Sequence, residues 1–99
     1  MFSENKLISV DFEVFGIVQG VSFRKYTVKK GKELELKGWC MNTDRGTVLG
    51  QLEGEPMKVE QMKLWLKCTG TPKSRIDKAE FRNERSIDSF SLNEFKVRR

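Results

Sequence analysis

The chain has 99 residues with a formal net charge of +5, is 37% hydrophobic and 33% charged, and contains no histidine. This length and composition predict one globular domain over residues 1–99, with its core at about 8–98, and exclude a second independent domain, a disordered chain and a membrane span. The missing histidine excludes Ser-His and Cys-His nucleophile pairs and the usual proton shuttle at neutral pH.

The first predicted strand leads through a glycine-bracketed turn into a helix. Apolar residues occupy every second position from Ile8 to Val14, which is typical of a half-buried strand. Gly16 and Gly20 bracket the turn that follows. Helical spacing then predicts a helix over about 22–32, with Gly31 at its end.

The rest of the chain predicts a hairpin, a second helix and two further strands. Residues 34–40 and 47–52 alternate on either side of the turn sequence NTDRG, in which Gly46 is expected to adopt a positive φ. A second helix begins near Pro56 and ends before Gly70, with one apolar stripe formed by Val59, Met62, Trp65 and Leu66. Residues 76–83 and 93–98 are predicted as strands. This order predicts an α+β, ferredoxin-like split βαβ fold (βαββαβ plus a short terminal strand), an antiparallel sheet with both helices packed on one face.

The stretch GIVQGVSFR, from Gly16 to Arg24, predicts an anion-binding loop. A helix that starts directly behind a glycine-bracketed turn leaves several backbone N–H groups unpaired and pointing the same way. Arg24 on the first turn opposes the helix macrodipole, which is unfavourable unless an anion lies between. We therefore expect a phosphate or carboxylate here, and an ordinary strand-to-helix loop is the alternative.

Two polar residues near this loop have competing interpretations. Ser22 is predicted to be a helix N-cap rather than a nucleophile, because the chain offers it no customary base. Asn42 ends a predicted strand just before the hairpin turn, where it is either an Asx-turn residue or an amide that orients a water at the anion site.

Other residue pairs are expected to have structural or surface roles. We predict that Cys40 and Cys68 are reduced thiols used for packing. The carboxylate pairs are expected to be solvated, and these are Glu33 with Glu35 and Glu53 with Glu55. Without histidine, only thiols and carboxylates remain to hold a zinc ion, which makes a metal site unfavourable.

Two segments carry a family resemblance. GIVQGVSFR strongly resembles the acylphosphatase signature, a glycine loop ending in VQGVxFR, and the segment from Gly38 to Gly54 (GWCMNTDRGTVLGQLEG) resembles that family's second signature. The resemblance extends over nearly the whole chain. It implies hydrolysis of the carboxyl-phosphate bond of acyl phosphates to a carboxylate and inorganic phosphate, without metal, cofactor or phosphoenzyme.

The resemblance also assigns roles to individual residues. Arg24 corresponds to the phosphate-binding arginine and Asn42 to the asparagine that positions the attacking water. The implied phosphate-binding loop consists of Gly16, Ile17, Val18, Gln19, Gly20, Val21 and Ser22. Family members often end in an aromatic residue that supports the arginine, whereas this chain ends in Val97, Arg98 and Arg99.

Partners and location follow from charge and from the start of the chain. Lysines and arginines are spread along the whole sequence, which favours a solvated basic surface over a dedicated nucleic-acid site. The alternative to the enzyme is a non-catalytic anion-binding or RNA-binding ferredoxin-like domain, although Phe12 and Phe15 do not form an RNP-like run. No signal-peptide pattern opens the chain, so a cytoplasmic location is expected. A monomer without membrane contacts is expected as well.

Overall fold

The computed structural model describes residues 6–20 and 22–98. Within these ranges the elements follow in chain order: β1 Leu7–Ile17, α1 Phe23–Glu33, β2 Lys37–Asn42, β3 Val48–Gly54, α2 Pro56–Leu64, β4 Arg75–Ile87 and β5 Phe95–Val97. A π-helical turn, Trp65–Thr69, continues α2. This order confirms the predicted ferredoxin-like α+β fold. None of the helices described is long and apolar enough to cross a membrane.

The sheet is mixed, with the strand order β4-β1-β3-β2-β5. β1 pairs antiparallel with β3 and β4, and β3 pairs antiparallel with β2. An antiparallel sheet was predicted throughout, but β5 runs parallel to β2. The reason is geometric: β4 ends at the end of the sheet where β2 begins, so residues 88–94 cross to the far edge and the chain re-enters in the direction of β2.

The hydrophobic core lies between one face of the sheet and the two helices. Alternate residues of β1 point into it, and Val10, Phe12 and Val14 are fully buried. The predicted apolar stripe of α2 is confirmed, since Val59 and Met62 are also fully buried. The remaining core residues are Val18, Phe23, Leu34, Leu36, Cys40, Val48, Leu52, Leu66 and Phe95. Cys68 is exposed, so its predicted packing role is wrong.

The opposite face of the sheet carries two buried carboxylates, Glu13 and Glu53. The prediction that Glu53 is solvated is wrong, because the 88–94 connection crosses over it. The backbone N–H groups of Ser91 and Leu92 donate to Glu53 Oε1 at 2.9 and 3.2 Å, and the Ser91 hydroxyl donates to Oε2. The other members of the predicted carboxylate pairs, Glu33, Glu35 and Glu55, are exposed as expected.

Gly50 gives a direct test of how closely the strands and the core pack. A Cβ at this position would lie 2.3 Å from Phe12 Cζ and 2.3 Å from the carbonyl oxygen of Trp39. We therefore expect Gly50→Ala to lower the free energy of unfolding by about 1–3 kcal/mol, because neither a fully buried ring nor a ladder carbonyl moves easily. Urea unfolding checks this, with Ser86→Ala on β4 as an exposed-strand control, and an unchanged midpoint for Gly50→Ala would contradict the close approach.

Candidate functional site

The predicted site residues lie at one end of the sheet. β1 and β2 both pair antiparallel with β3, so they run in the same direction and their last residues lie at the same end of the sheet. The loop of residues 18–22 follows β1, and the turn of residues 43–47 follows β2. These two connections therefore emerge side by side, which brings the described residues of the stretch Gly16–Arg24 and Asn42 to the same end of the sheet.

Gln19 joins the two connections through its side chain. Its Nε2 donates to the carbonyl oxygens of Thr43 and Thr47, at 3.0 and 2.9 Å. Sequence reasoning placed Gln19 in the loop but missed this link, because the partners lie 24 and 28 residues further along the chain. The 18–22 loop is consequently tied to the turn that follows Asn42.

Glycine is required at the end of β1 and in the loop for two different reasons. Gly16 has a φ of +135°, and a Cβ there would lie 2.1 Å from the carbonyl oxygen of Arg75 on β4. Gly20 has a φ of +74° with no atom within 4 Å of a Cβ, so it serves the backbone conformation alone. Val18 is buried, Ile17 is exposed, and Val21 lies outside the described residues.

Ser22 occupies the N-cap position of α1 but does not cap it as predicted. Its carbonyl oxygen accepts a hydrogen bond from the N–H of Tyr26 at 3.1 Å, whereas its side chain makes no capping bond within the described helix. The cause is the backbone, which has a φ of 61° instead of the extended conformation that aims a side-chain oxygen at the first turn. The exposed Ser22 instead borders a cavity that Arg24 also lines.

Arg24 lines a cavity of about 380 Å³ beside the loop. The lining residues are Val18, Gly20, Ser22, Phe23, Arg24, Lys25 and Val97. The first turn of α1 has no acidic residue, and the Arg24 guanidinium forms no ion pair or hydrogen bond with the described part of the chain. A cation thus lies at the positive end of a helix without an internal counter-ion, which makes the cavity favourable for an anion.

Val97, the last residue of β5, lines this cavity. The next residue, Arg98, donates its N–H to the Cys40 carbonyl oxygen at 2.8 Å, and its guanidinium stacks over Trp39 at 4.0 Å from the ring centroid. These contacts hold the end of β5 against β2. Arg99 lies outside the described residues.

Asn42 lies at the end of β2, on the face of the sheet that carries the helices. Cys40 precedes it by two residues and shares that face, and the Cys40 thiol contacts the carbonyl oxygen of Arg24 at 3.8 Å. Asn42 Oδ1 is buried and accepts no hydrogen bond from the described residues. The Asx-turn alternative is therefore not observed. It is Thr43 Oγ1 that accepts from the turn, from the N–H groups of Arg45 and Thr47 at 3.2 and 3.3 Å.

The Cys40 thiol, which lies next to this site, is unreactive as a nucleophile. Burial raises the pKa of Cys40 to about 12, and the nearby positive charge of Arg24 offsets only part of that rise. The thiol is protonated at neutral pH, so it does not supply a thiolate nucleophile. Across the described ranges, no three His, Cys, Asp or Glu side chains converge as metal ligands do.

Glu13 holds the base of the 43–47 turn on the other face of the sheet. The side chain is 3% exposed, and its Oε2 accepts from Thr47 Oγ1 at 2.6 Å and from Arg45 Nη2 at 2.5 Å. Its Oε1 accepts from Arg82 Nη2 at 3.1 Å. Burial alone would raise the pKa of Glu13, but these hydrogen bonds outweigh it and lower the pKa to about 2. The group is therefore a carboxylate at any ordinary pH.

Comparison with known proteins gives a consistent result. The family model described as acylphosphatase matches residues 10–97. A human protein named acylphosphatase-1 is 55% identical over 97 residues, which cover 98% of each chain. An acylphosphatase structure from Coxiella burnetii superposes with a TM-score of 0.80 at 32% identity, covering 95% of this chain and 94% of that one. One from Bacillus subtilis gives 0.81 at 25% identity, with coverages of 93% and 99%.

Proposed function

Since this chain belongs to the acylphosphatase family and is an acylphosphatase, we propose that Arg24 and the Gly16–Ser22 loop hold the phosphoryl group while Asn42 positions the attacking water. One observation carries this proposal. An arginine without an internal counter-ion and a buried amide oxygen without a partner, each judged within the described residues, lie at the same end of the sheet. The first needs an anion and the second needs a hydrogen-bond donor such as water.

The phosphoryl group enters the cavity at the start of α1. Backbone N–H groups of the loop bind its oxygens, and the forked guanidinium of Arg24 binds two of them together. The loop residues assigned to this role are Gly16, Ile17, Val18, Gln19, Gly20, Val21 and Ser22. These donors stabilise the negative charge that spreads over the phosphoryl oxygens in the transition state.

Asn42 Oδ1 accepts one O–H of the water, which turns a lone pair of the water oxygen towards phosphorus. The water oxygen forms a new bond to phosphorus while the bond from phosphorus to the acyl oxygen breaks, and the carboxylate departs with that electron pair. The water proton passes to an oxygen of the phosphoryl group, because the chain has no histidine and the Cys40 thiol is protonated. Positioning and electrostatics suffice because a carboxylate is a good leaving group.

The proposal includes a cytoplasmic monomer that acts on a small acyl phosphate and has no dedicated nucleic-acid site. The aromatic residues considered for RNA binding are engaged in other contacts. Phe12 is fully buried in the core, and the Phe15 ring is covered by Lys78, whose Nζ lies 4.7 Å from the centroid. Stacking of bases requires exposed ring faces, so these contacts favour the enzyme.

Hydrolysis of benzoyl phosphate in the presence of EDTA tests the metal-free reaction. We expect the same kcat with and without the chelator, because the phosphoryl charge is balanced by Arg24 and by backbone dipoles. Loss of activity on chelation, restored by added Mg²⁺, would contradict the proposal.

A further inference from the structure

The proposed hydrolysis uses no carboxylate, yet Glu13 and Glu53 are both buried on the open face of the sheet. They lie at opposite ends of β3, since Glu13 pairs in register with Leu49 and Glu53 pairs with Ser9. Glu53 accepts hydrogen bonds from backbone N–H groups of the 88–94 connection. Glu13 accepts hydrogen bonds from Arg45 and Thr47, which belong to the turn that directly follows Asn42.

The charge on Glu13 fixes the direction of a chain of hydrogen bonds. A carboxylate only accepts, so the Thr47 hydroxyl donates its single hydrogen to Glu13. In the 2.6 Å contact between the hydroxyls of Thr47 and Thr43, Thr43 must then be the donor. The lone pairs of Thr43 Oγ1 are left to accept the N–H groups of Arg45 and Thr47. The charge of Glu13 thus fixes the hydrogen-bond direction of the Thr47 and Thr43 hydroxyls.

This chain of hydrogen bonds reaches the backbone of Asn42. Thr43 follows Asn42 directly, its N–H donates to the Thr47 carbonyl oxygen at 2.9 Å, and its own carbonyl oxygen accepts from Gln19. The peptide groups on both sides of Thr43 are therefore fixed. Because Asn42 Oδ1 has no partner among the described residues, the direction of this amide depends on its backbone.

We propose that Glu13 is a positioning residue for the hydrolysis: through Thr47 and Thr43 it holds the 43–47 turn, and with it the Asn42 amide, in the orientation that aims the water. This inference rests on the proposed role of Asn42. Glu13 itself touches neither substrate nor water, since it lies on the other face of the sheet from Asn42.

The direct test is Glu13→Gln, which keeps the size of the side chain. Its amide has one acceptor oxygen and one donor nitrogen, so in either orientation an N–H group faces an arginine, Arg45 or Arg82. Without the charge and the second acceptor oxygen, the side chain binds Thr47, Arg45 and Arg82 less strongly and holds the turn less firmly. We therefore expect kcat for benzoyl phosphate to fall roughly 10- to 100-fold, as for an amide misplaced by about 1 Å. The competitive inhibition constant of inorganic phosphate should stay within about twofold, a change worth only a fraction of RT. Phosphate is held by the loop and Arg24, which this substitution leaves intact.

Three further variants separate positioning from stability. Glu53→Gln makes the same change in the other buried carboxylate and should lower the urea midpoint while kcat stays unchanged. Thr47→Val removes the hydroxyl that joins Glu13 to Thr43 and should reproduce the loss of kcat, even if Glu13→Gln fails to fold. Thr47→Ser restores the hydroxyl and should restore kcat. All rates are measured well below the unfolding midpoint of each variant.

The outcomes are distinguishable. Reduced kcat for Glu13→Gln and Thr47→Val, with wild-type kcat for Glu53→Gln and Thr47→Ser, supports positioning. Wild-type kcat for folded Thr47→Val or folded Glu13→Gln overturns it and leaves Glu13 a structural residue. Asn42→Ala is measured in the same series: if it loses activity while Thr47→Val does not, only the inference about Glu13 fails. If Asn42→Ala is fully active, the proposed function itself fails.

Discussion

Arg24→Ala is expected to lower kcat/KM for benzoyl phosphate by about 10²- to 10³-fold, the usual effect of removing one transition-state donor from such a site. The guanidinium makes no ion pair within the described residues, so its removal leaves no internal carboxylate unpaired. It also removes a positive charge from the positive end of α1. Urea unfolding should therefore show an equal or higher midpoint, together with the large loss in steady-state kinetics.

Two variants show whether this loss is specific to Arg24. Arg24→Lys retains the charge but not the planar fork, and we expect it to recover only part of the activity. Lys29→Ala removes an exposed positive charge from the same helix and should leave kcat/KM unchanged. If Arg24→Ala retained wild-type kinetics, or if Lys29→Ala lost as much activity, phosphoryl binding by Arg24 would be excluded.

Asn42→Ala is expected to lower kcat by about 10²- to 10³-fold while leaving the inhibition constant of phosphate nearly unchanged. The amide contacts the water in this account and not the phosphoryl group, so ground-state binding is preserved. Stability should not fall, because the substitution removes a buried oxygen that has no partner among the described residues. Steady-state kinetics and urea unfolding measure the two effects.

The matched controls for Asn42 are another asparagine and an isosteric acid. Asn93→Ala, in the exposed 88–94 connection, should keep wild-type kcat. Asn42→Asp retains an acceptor oxygen but places a negative charge beside the phosphoryl group, so it should also be poorly active. A fully active Asn42→Ala would rule out water positioning.

The elements with regular local patterns were predicted well from the sequence. The alternation of apolar residues in β1 and the apolar stripe of α2 are each set by residues close together in the sequence, and the structure has both features. Leu34 and Leu36 also alternate but precede β2. Leu34 is instead the C-cap of α1, and Glu35 adopts a φ of 61° in the turn that follows. Alternation over so few residues does not separate a strand from a buried turn.

The features that sequence reasoning missed depend on contacts between distant segments. The parallel pairing of β5 and the burial of Glu53 both follow from the crossing of the 88–94 connection, for which no local pattern exists. Arg24 and Asn42 could be singled out from the sequence because each lies in a segment that resembles a family signature, and their roles remain predictions. Glu13 was missed because in the sequence it is only a polar residue of a half-buried strand, and its partner Thr47 lies 34 residues away.

Calorimetric titration of inorganic phosphate separates the holding of the phosphoryl group from the reaction of the water. Wild type, Arg24→Ala and Asn42→Ala are compared under the same conditions. We predict that Asn42→Ala binds phosphate with a Kd within about twofold of wild type, and that Arg24→Ala binds at least about tenfold more weakly, a loss of roughly 1.4 kcal/mol or more. Wild-type phosphate affinity in Arg24→Ala, or an equal loss of affinity in both variants, would contradict the division of roles between the arginine and the asparagine.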